Sequence, residues 1–126
     1  MTHTAVHTLD APQPAGPYSQ GIDAGAFVFI SGQIPLDPAS GLLPGDTIAA
    51  QARCALRNLK AVLTAAGLTP ENLVKTTVFL RSMADFGEFN AVYEEALAGA
   101  KPARSVVEVS ALPKGALVEI EAIACR

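Results

Sequence analysis

The sequence predicts an α+β chain built on a single mixed β-sheet with two helices on one face. Three observations predict it. Short runs that alternate apolar and polar residues read as strands, two longer segments carry apolar residues at helical spacing, and the two kinds follow one another as strand, helix, strand, helix, strand, strand. With both helices on one face, the other face of the sheet needs a cover. No repeat or linker divides the 126 residues, so residues 1–126 read as one domain and a partner subunit is the simplest cover.

The first 26 residues are rich in Pro, Gly and small polar groups, and DAPQPAGPYSQG reads as an irregular segment. FVFISGQI is a strand interrupted by Ser31 and Gly32, a place where something approaches the backbone closely. PLDPASGLLPGD, with three prolines and two glycines, is a loop. Thr47 or Asp46 caps a helix whose apolar stripe is Ile48, Ala52, Leu56, Leu59, Val62, Leu63 and Ala66, and Gly67 ends it. Thr69 and Pro70 start about one further turn, after which VKTTVFL alternates as a strand. Phe86, Phe89, Tyr93 and Leu97 mark a second helix from Asp85 to Leu97, closed by Gly99. RSVVEVS and ALVEIEAIA are the final strands, joined by the turn-like ALPKGA.

Composition narrows the function. At 50% hydrophobic and 17% charged the chain buries a real core. A net charge of −3, with its nine Lys and Arg scattered, gives no field to attract a phosphate backbone, so nucleic acid is not expected as a partner. Cys54 and Cys125 form no disulfide framework, and no apolar run approaches the roughly 18 residues of a membrane span. A cytoplasmic protein without membrane contact is the expectation. His3 and His7 lie together near the start, far from either cysteine, and offer no metal-ligand spacing. There is no GxSxG, GxGxxG or Walker loop, and no histidine is placed to activate Ser31.

What remains is a set of polar groups among apolar ones. Arg104 opens a strand just after the stiffening Pro102, and its planar fork suits a carboxylate, although a structural ion pair is the commoner fate of an arginine. Glu119 and Glu121 share one face of their strand while Val118, Ile120 and Ala122 take the other. A carboxylate partly desolvated at an interface passes protons to and from water, but paired surface glutamates are also common. Tyr18 and Asn90 can each bond a ligand or tie the structure.

GPYSQG at 16–21, ISGQIP at 30–35, VKTTVFL at 74–80, FNAVYE at 89–94, PARS at 102–105 and LPKGALVEIEAIA at 112–124 resemble the RidA family. These are the reactive imine and enamine deaminases formerly grouped under the YjgF and L-PSP names. The resemblance runs over nearly the whole chain and implies a chorismate-mutase-like fold assembled as a homotrimer. Its sheets would form a central barrel, with ligand clefts between subunits. It further implies hydrolysis of 2-imino acids, released as enamines by pyridoxal-phosphate enzymes, to 2-keto acids and ammonia, with no cofactor in the protein itself.

Carried over by position, the resemblance makes Arg104 the carboxylate-binding arginine and Glu119 the water-positioning glutamate. Tyr18, Asn90 and the turn at Ser31 and Gly32 line the cleft, and Glu121 takes no assigned role. Val106 stands where many members have a cysteine, leaving its backbone carbonyl for ligand or water. Lys101 replaces a frequent aromatic before the proline, and ALAGAK is a short rim loop. Two other readings stay open: a regulatory module that binds small carboxylates without turnover, and single-strand RNA cleavage, against which the acidic balance and the lack of a stacking platform argue.

Overall fold

The computed structural model of the chain describes residues 2–126. In order, the elements are β1 (Thr4–Val6), β2 (Gly21–Asp23), β3 (Phe27–Gln33), α1 (Ile48–Ala65), β4 (Leu73–Leu80), α2 (Phe86–Leu97), β5 (Ala103–Glu108) and β6 (Val118–Cys125). Single turns of 3-10 helix sit at Pro70–Asn72, Met83–Asp85 and Pro113–Gly115.

The sheet has six strands in the order β1-β2-β3-β6-β4-β5. β1 and β2 were not expected as a pair, and the reason is physical: each has three residues, too few to display a period, and they exist because β2 pairs antiparallel with β3 and β1 with β2. β6, the last strand in sequence, lies between β3 and β4 and runs antiparallel to both, which makes β3 and β4 parallel to each other. β5 continues the sheet parallel to β4. Both β3-α1-β4 and β4-α2-β5 are therefore crossovers that move the same way along the sheet, and their common right-handedness puts both helices on one face.

Thr47 begins α1, its Oγ1 accepting from the Ala50 backbone N–H at 3.2 Å. Ile48, Ala52, Leu56, Leu59, Val62 and Leu63 are buried, as their spacing predicts, against Val28, Ile30, Val78, Leu80, Val118, Ile120 and Ala122 of the sheet. A fully buried leucine such as Leu56 contributes about 1.5–3 kcal/mol by leaving water. Phe89, Val92, Tyr93 and Leu97 bury the inner face of α2, whose Tyr93 hydroxyl lies 2.6 Å from Thr76 Oγ1 on the same face of the sheet. Ala98, in the left-handed region at φ 50°, ends α2 just before Gly99. No helix among the described residues is long and apolar enough to cross a membrane.

The opposite face has no helix. Its residues come from the alternate positions: Phe27 and Phe29 on β3, Thr77 and Phe79 on β4, Val107 on β5, and Glu119, Glu121 and Ile123 on β6. Phe27, Phe29 and Val107 remain 45%, 46% and 41% exposed there.

Candidate functional site

Glu119 stands on this open face near the start of β6, across from Phe79. Its carboxylate lies over the backbone of Gly32: a Cβ placed on Gly32 would come within 2.0 Å of Glu119 Oε2. That is the close approach the broken strand FVFISGQI foretold. Ser31 and Gly32 do not form a turn; they belong to β3, where the pairing with β6 slips between Ile30 and Gln33. Burial, and after it the charge of Glu121, pushes the Glu119 carboxyl above the ordinary glutamate range.

A cavity of about 680 Å³ opens beside Glu119, lined by Tyr18, Ser31, Gly32, Lys114, Glu119 and Glu121 among others. Its outer wall is the irregular segment before β2, which Gln20 secures. The Gln20 side chain, 2% exposed, accepts from the Thr8 N–H and donates to the carbonyls of Thr8, Ala11 and Pro12. Ser31 Oγ donates to the Ser19 carbonyl at 2.6 Å, and half-exposed Tyr18 accepts from the Ala15 N–H at 3.4 Å. Gln20 was missed by sequence reasoning, because its partners are backbone groups in a segment with no periodic signal.

Arg104 lies elsewhere. It pairs in register with Thr76, and Thr76 with Ala122, so Arg104 belongs to the helix-covered face, at the rim where β5 is the edge strand. Glu119 pairs with Phe79, and Phe79 with Val107, three residues beyond Arg104 and on the opposite face. Within one chain the sheet itself separates the two groups. Arg104 and Asn90 share a second cavity, of about 460 Å³, with Tyr93, Glu94, Lys101 and Pro102. Val106 lines neither cavity and packs against the core.

The guanidinium of Arg104 is tightly placed. Its Nη1 donates to Asn90 Oδ1 at 2.8 Å, and its carbon sits 4.8 Å from the centre of the Tyr93 ring and 5.7 Å from that of Phe86. Among the described residues no carboxylate pairs with it. The structural ion pair is thus absent within the chain, and most of the five N–H donors of the fork remain for a ligand. Among the same residues no three His, Cys, Asp or Glu side chains converge as a metal site would need.

The chain can be placed among known proteins. Residues 8–126 match the family model described as Endoribonuclease L-PSP. The chain is 52% identical over 121 residues to a RutC family protein of Pyrococcus horikoshii, covering 96% of each chain. To the 2-iminobutanoate/2-iminopropanoate deaminase of Escherichia coli K12 it is 49% identical over 124 residues, again covering 96% of each. The crystal structure of the YjgF gene product of Escherichia coli superposes with a TM-score of 0.94 at 48% identity, over 98% of each chain. A family match over residues 8–126, identity near 50% over almost the whole chain and a shared fold leave one conclusion: the chain belongs to the YjgF/RidA, or L-PSP, family.

Proposed function

We propose that the chain hydrolyses 2-imino acids such as 2-iminobutanoate and 2-iminopropanoate to 2-keto acids and ammonia, in clefts between subunits of a cytoplasmic homotrimer. The observation that carries this reading is the Arg104 guanidinium, fixed by Asn90 and two aromatic rings yet paired with no carboxylate among the described residues. The name of the Escherichia coli relative supports the choice of substrate.

Two features support an assembly of copies. Phe27, Phe29 and Val107 leave an apolar sheet face exposed, which a second copy of the same face would cover. Arg104 at the edge strand of one copy, brought beside the open face of the next, joins the Glu119 cavity that its own sheet blocks. Each cleft then takes its arginine from one copy and its glutamate from the neighbour.

In such a cleft Arg104 holds the substrate carboxylate by paired, charge-assisted hydrogen bonds and turns the C=N carbon toward a water on Glu119. On the protonated imine the water oxygen bonds to that carbon as Glu119 takes one proton of the water and the C=N electron pair moves to nitrogen, giving a neutral amine. Glu119 then returns its proton to the nitrogen as the C–N bond breaks, and the hydroxyl proton passes to the departing ammonia, leaving C=O and ammonium. A carboxyl with a raised pKa serves both steps. RNA cleavage, named in the family model's description, is opposed by the net charge of −3 and by two carboxylates in the larger cavity.

The test is to mix the purified protein with threonine and a threonine dehydratase and to follow 2-ketobutyrate release above the uncatalysed rate. Acceleration is expected, and Arg104→Ala should lower it by about 10- to 150-fold, from roughly 1.5–3 kcal/mol per charged hydrogen bond. A variant as fast as the wild type would remove Arg104 from the reaction, and no acceleration by the wild type would favour the carboxylate-binding module.

A further inference from the structure

The buried polar side chains among the described residues are Gln20, Gln33, Gln51, Asn58 and Thr76. Gln20 and Gln33 line the Glu119 cavity, and Thr76 meets Tyr93. Gln51 and Asn58 do neither. Both belong to α1, 1% and 0% exposed, and stand seven residues apart, nearly two whole turns, which puts them on one face of the helix about 10 Å from each other along its axis. A buried helix position is filled at less cost by a leucine than by an amide, unless the bonds of the amide are used.

Each amide holds a different strand end. Asn58 Nδ2 donates to the Ile34 carbonyl at 3.0 Å and to the Leu36 carbonyl at 2.9 Å, fastening the chain where it leaves β3. Gln51 Oε1 accepts from the Leu117 N–H at 2.8 Å, at the entry to β6, while its Nε2 donates to the Gly45 carbonyl at 2.8 Å. Glu119 lies two residues beyond Leu117, and Gly32, under the Glu119 carboxylate, lies two residues before Ile34. Ile34 and Leu36 also line the cavity. The pairing of β3 with β6 slips between Ile30 and Gln33, so the ladder of the sheet does not itself fix Gly32 against Glu119. The two amides supply from α1 what the ladder leaves out. Asn58 Oδ1, moreover, is buried with no hydrogen-bond partner, a penalty that an apolar side chain would avoid and that the two Nδ2 bonds offset.

We propose that Asn58 and Gln51 are positioning residues, a pair of amides on α1 that sets the Glu119 carboxylate against the Gly32 backbone and so places the water that attacks the C=N carbon. The inference rests on the proposed reaction, and neither residue touches substrate. With Asn58 on the β3 side and Gln51 on the β6 side, the Glu119 side chain stays half-buried; loosening either side admits more water to it. Glu121 and Lys114 are the other charged groups lining the cavity, and neither bonds to either amide.

The test reads Glu119 with and without turnover. In protein with isotope-labelled glutamate carboxyls followed by carbon NMR, the Glu119 signal is assigned by its loss in Glu119→Gln. The wild-type carboxyl should titrate above the ordinary glutamate range, and in Asn58→Leu and Gln51→Met it should return toward that range. In imine hydrolysis the same variants should lose kcat by about 10- to 100-fold, the scale of a misplacement of up to about 1 Å, with KM within about two-fold, and the acid limb of the kcat profile should move to lower pH. Leu63→Ala, fully buried on the same helix, should lower the melting temperature and move neither the titration nor the profile. Asn58→Ser, which leaves a hydroxyl donor at the site, stands in should Asn58→Leu not fold. A Glu119 titration unchanged in folded variants of both amides, or one that Leu63→Ala shifts as far, would overturn the proposal. If the wild type accelerates no imine hydrolysis while the titration moves in the amide variants, the reaction fails alone and the hold on Glu119 stands. If hydrolysis holds while titration and kcat are unmoved, only the role of the two amides is lost.

Discussion

The two faces of the sheet are made from the same strands and do opposite work. The helix-covered face is filled by Leu56, Leu59, Leu63, Phe89 and Ile120, and Arg104, the arginine proposed to bind substrate, sits at the rim on the edge strand. The open face leaves Phe27, Phe29 and Val107 in water and keeps Glu119 against bare glycine backbone. Period-two alternation separates the two chemistries, and the same alternation keeps Arg104 and Glu119 apart within a chain. On the proposed reading each face carries half an active site, completed by a second copy.

The largest effect should come from spoiling the open face. Phe29→Glu puts a charge into the contact proposed between copies, so the protein should sediment as a monomer with its helices intact and lose measurable imine hydrolysis. A monomer of full activity would break the contrast between the faces. Next in size is Gly32→Ala. The atom its Cβ meets is the end of a flexible side chain, so the fold should survive while the Glu119 carboxylate is displaced. A shift of about 1 Å at a reacting group costs on the order of 100-fold in rate, and kcat with little change in melting temperature checks it.

Asn90→Ala sharpens the other half. Removing the acceptor that steadies Arg104 should raise KM about ten-fold, the worth of roughly 1.5 kcal/mol in a hydrogen bond to a charged group, with kcat less affected. The smallest effect concerns pH. A carboxyl whose pKa is raised by folding binds its proton more tightly in the folded state, so folded stability declines as pH rises through the window between the unfolded and the raised folded pKa. Glu119→Gln removes that penalty. It should melt slightly higher than the wild type at neutral pH and no higher at pH values below the unfolded carboxyl pKa, while losing activity. A melting difference that grows on acidification would contradict the burial of Glu119.

Much of this was legible in the sequence where a period was long enough to declare itself. α1 has eighteen residues and its stripe from Ile48 to Leu63 is what the sheet buries. β4 and β6 alternate over eight residues each, which placed Glu119 and Glu121 on one face correctly. β1 and β2, three residues each, owe their form to pairing with β3 and left no pattern of their own. Parity within a strand could be read, but registry between strands could not. The resemblance could therefore propose Arg104 and Glu119 as partners without any sign that β4 and the plane of the sheet stand between them.

The central claim is that each cleft takes its arginine and its glutamate from different copies. Arg104→Ala and Glu119→Gln, each strongly impaired alone, should be co-expressed under separate tags and the mixed oligomers isolated by sequential affinity steps. In a mixed ring of three copies, one of the three clefts combines an intact arginine with an intact glutamate, so the pair should regain roughly one third of wild-type activity. Mixed oligomers as inactive as their parents would contradict the claim and place both residues of each working site in a single chain.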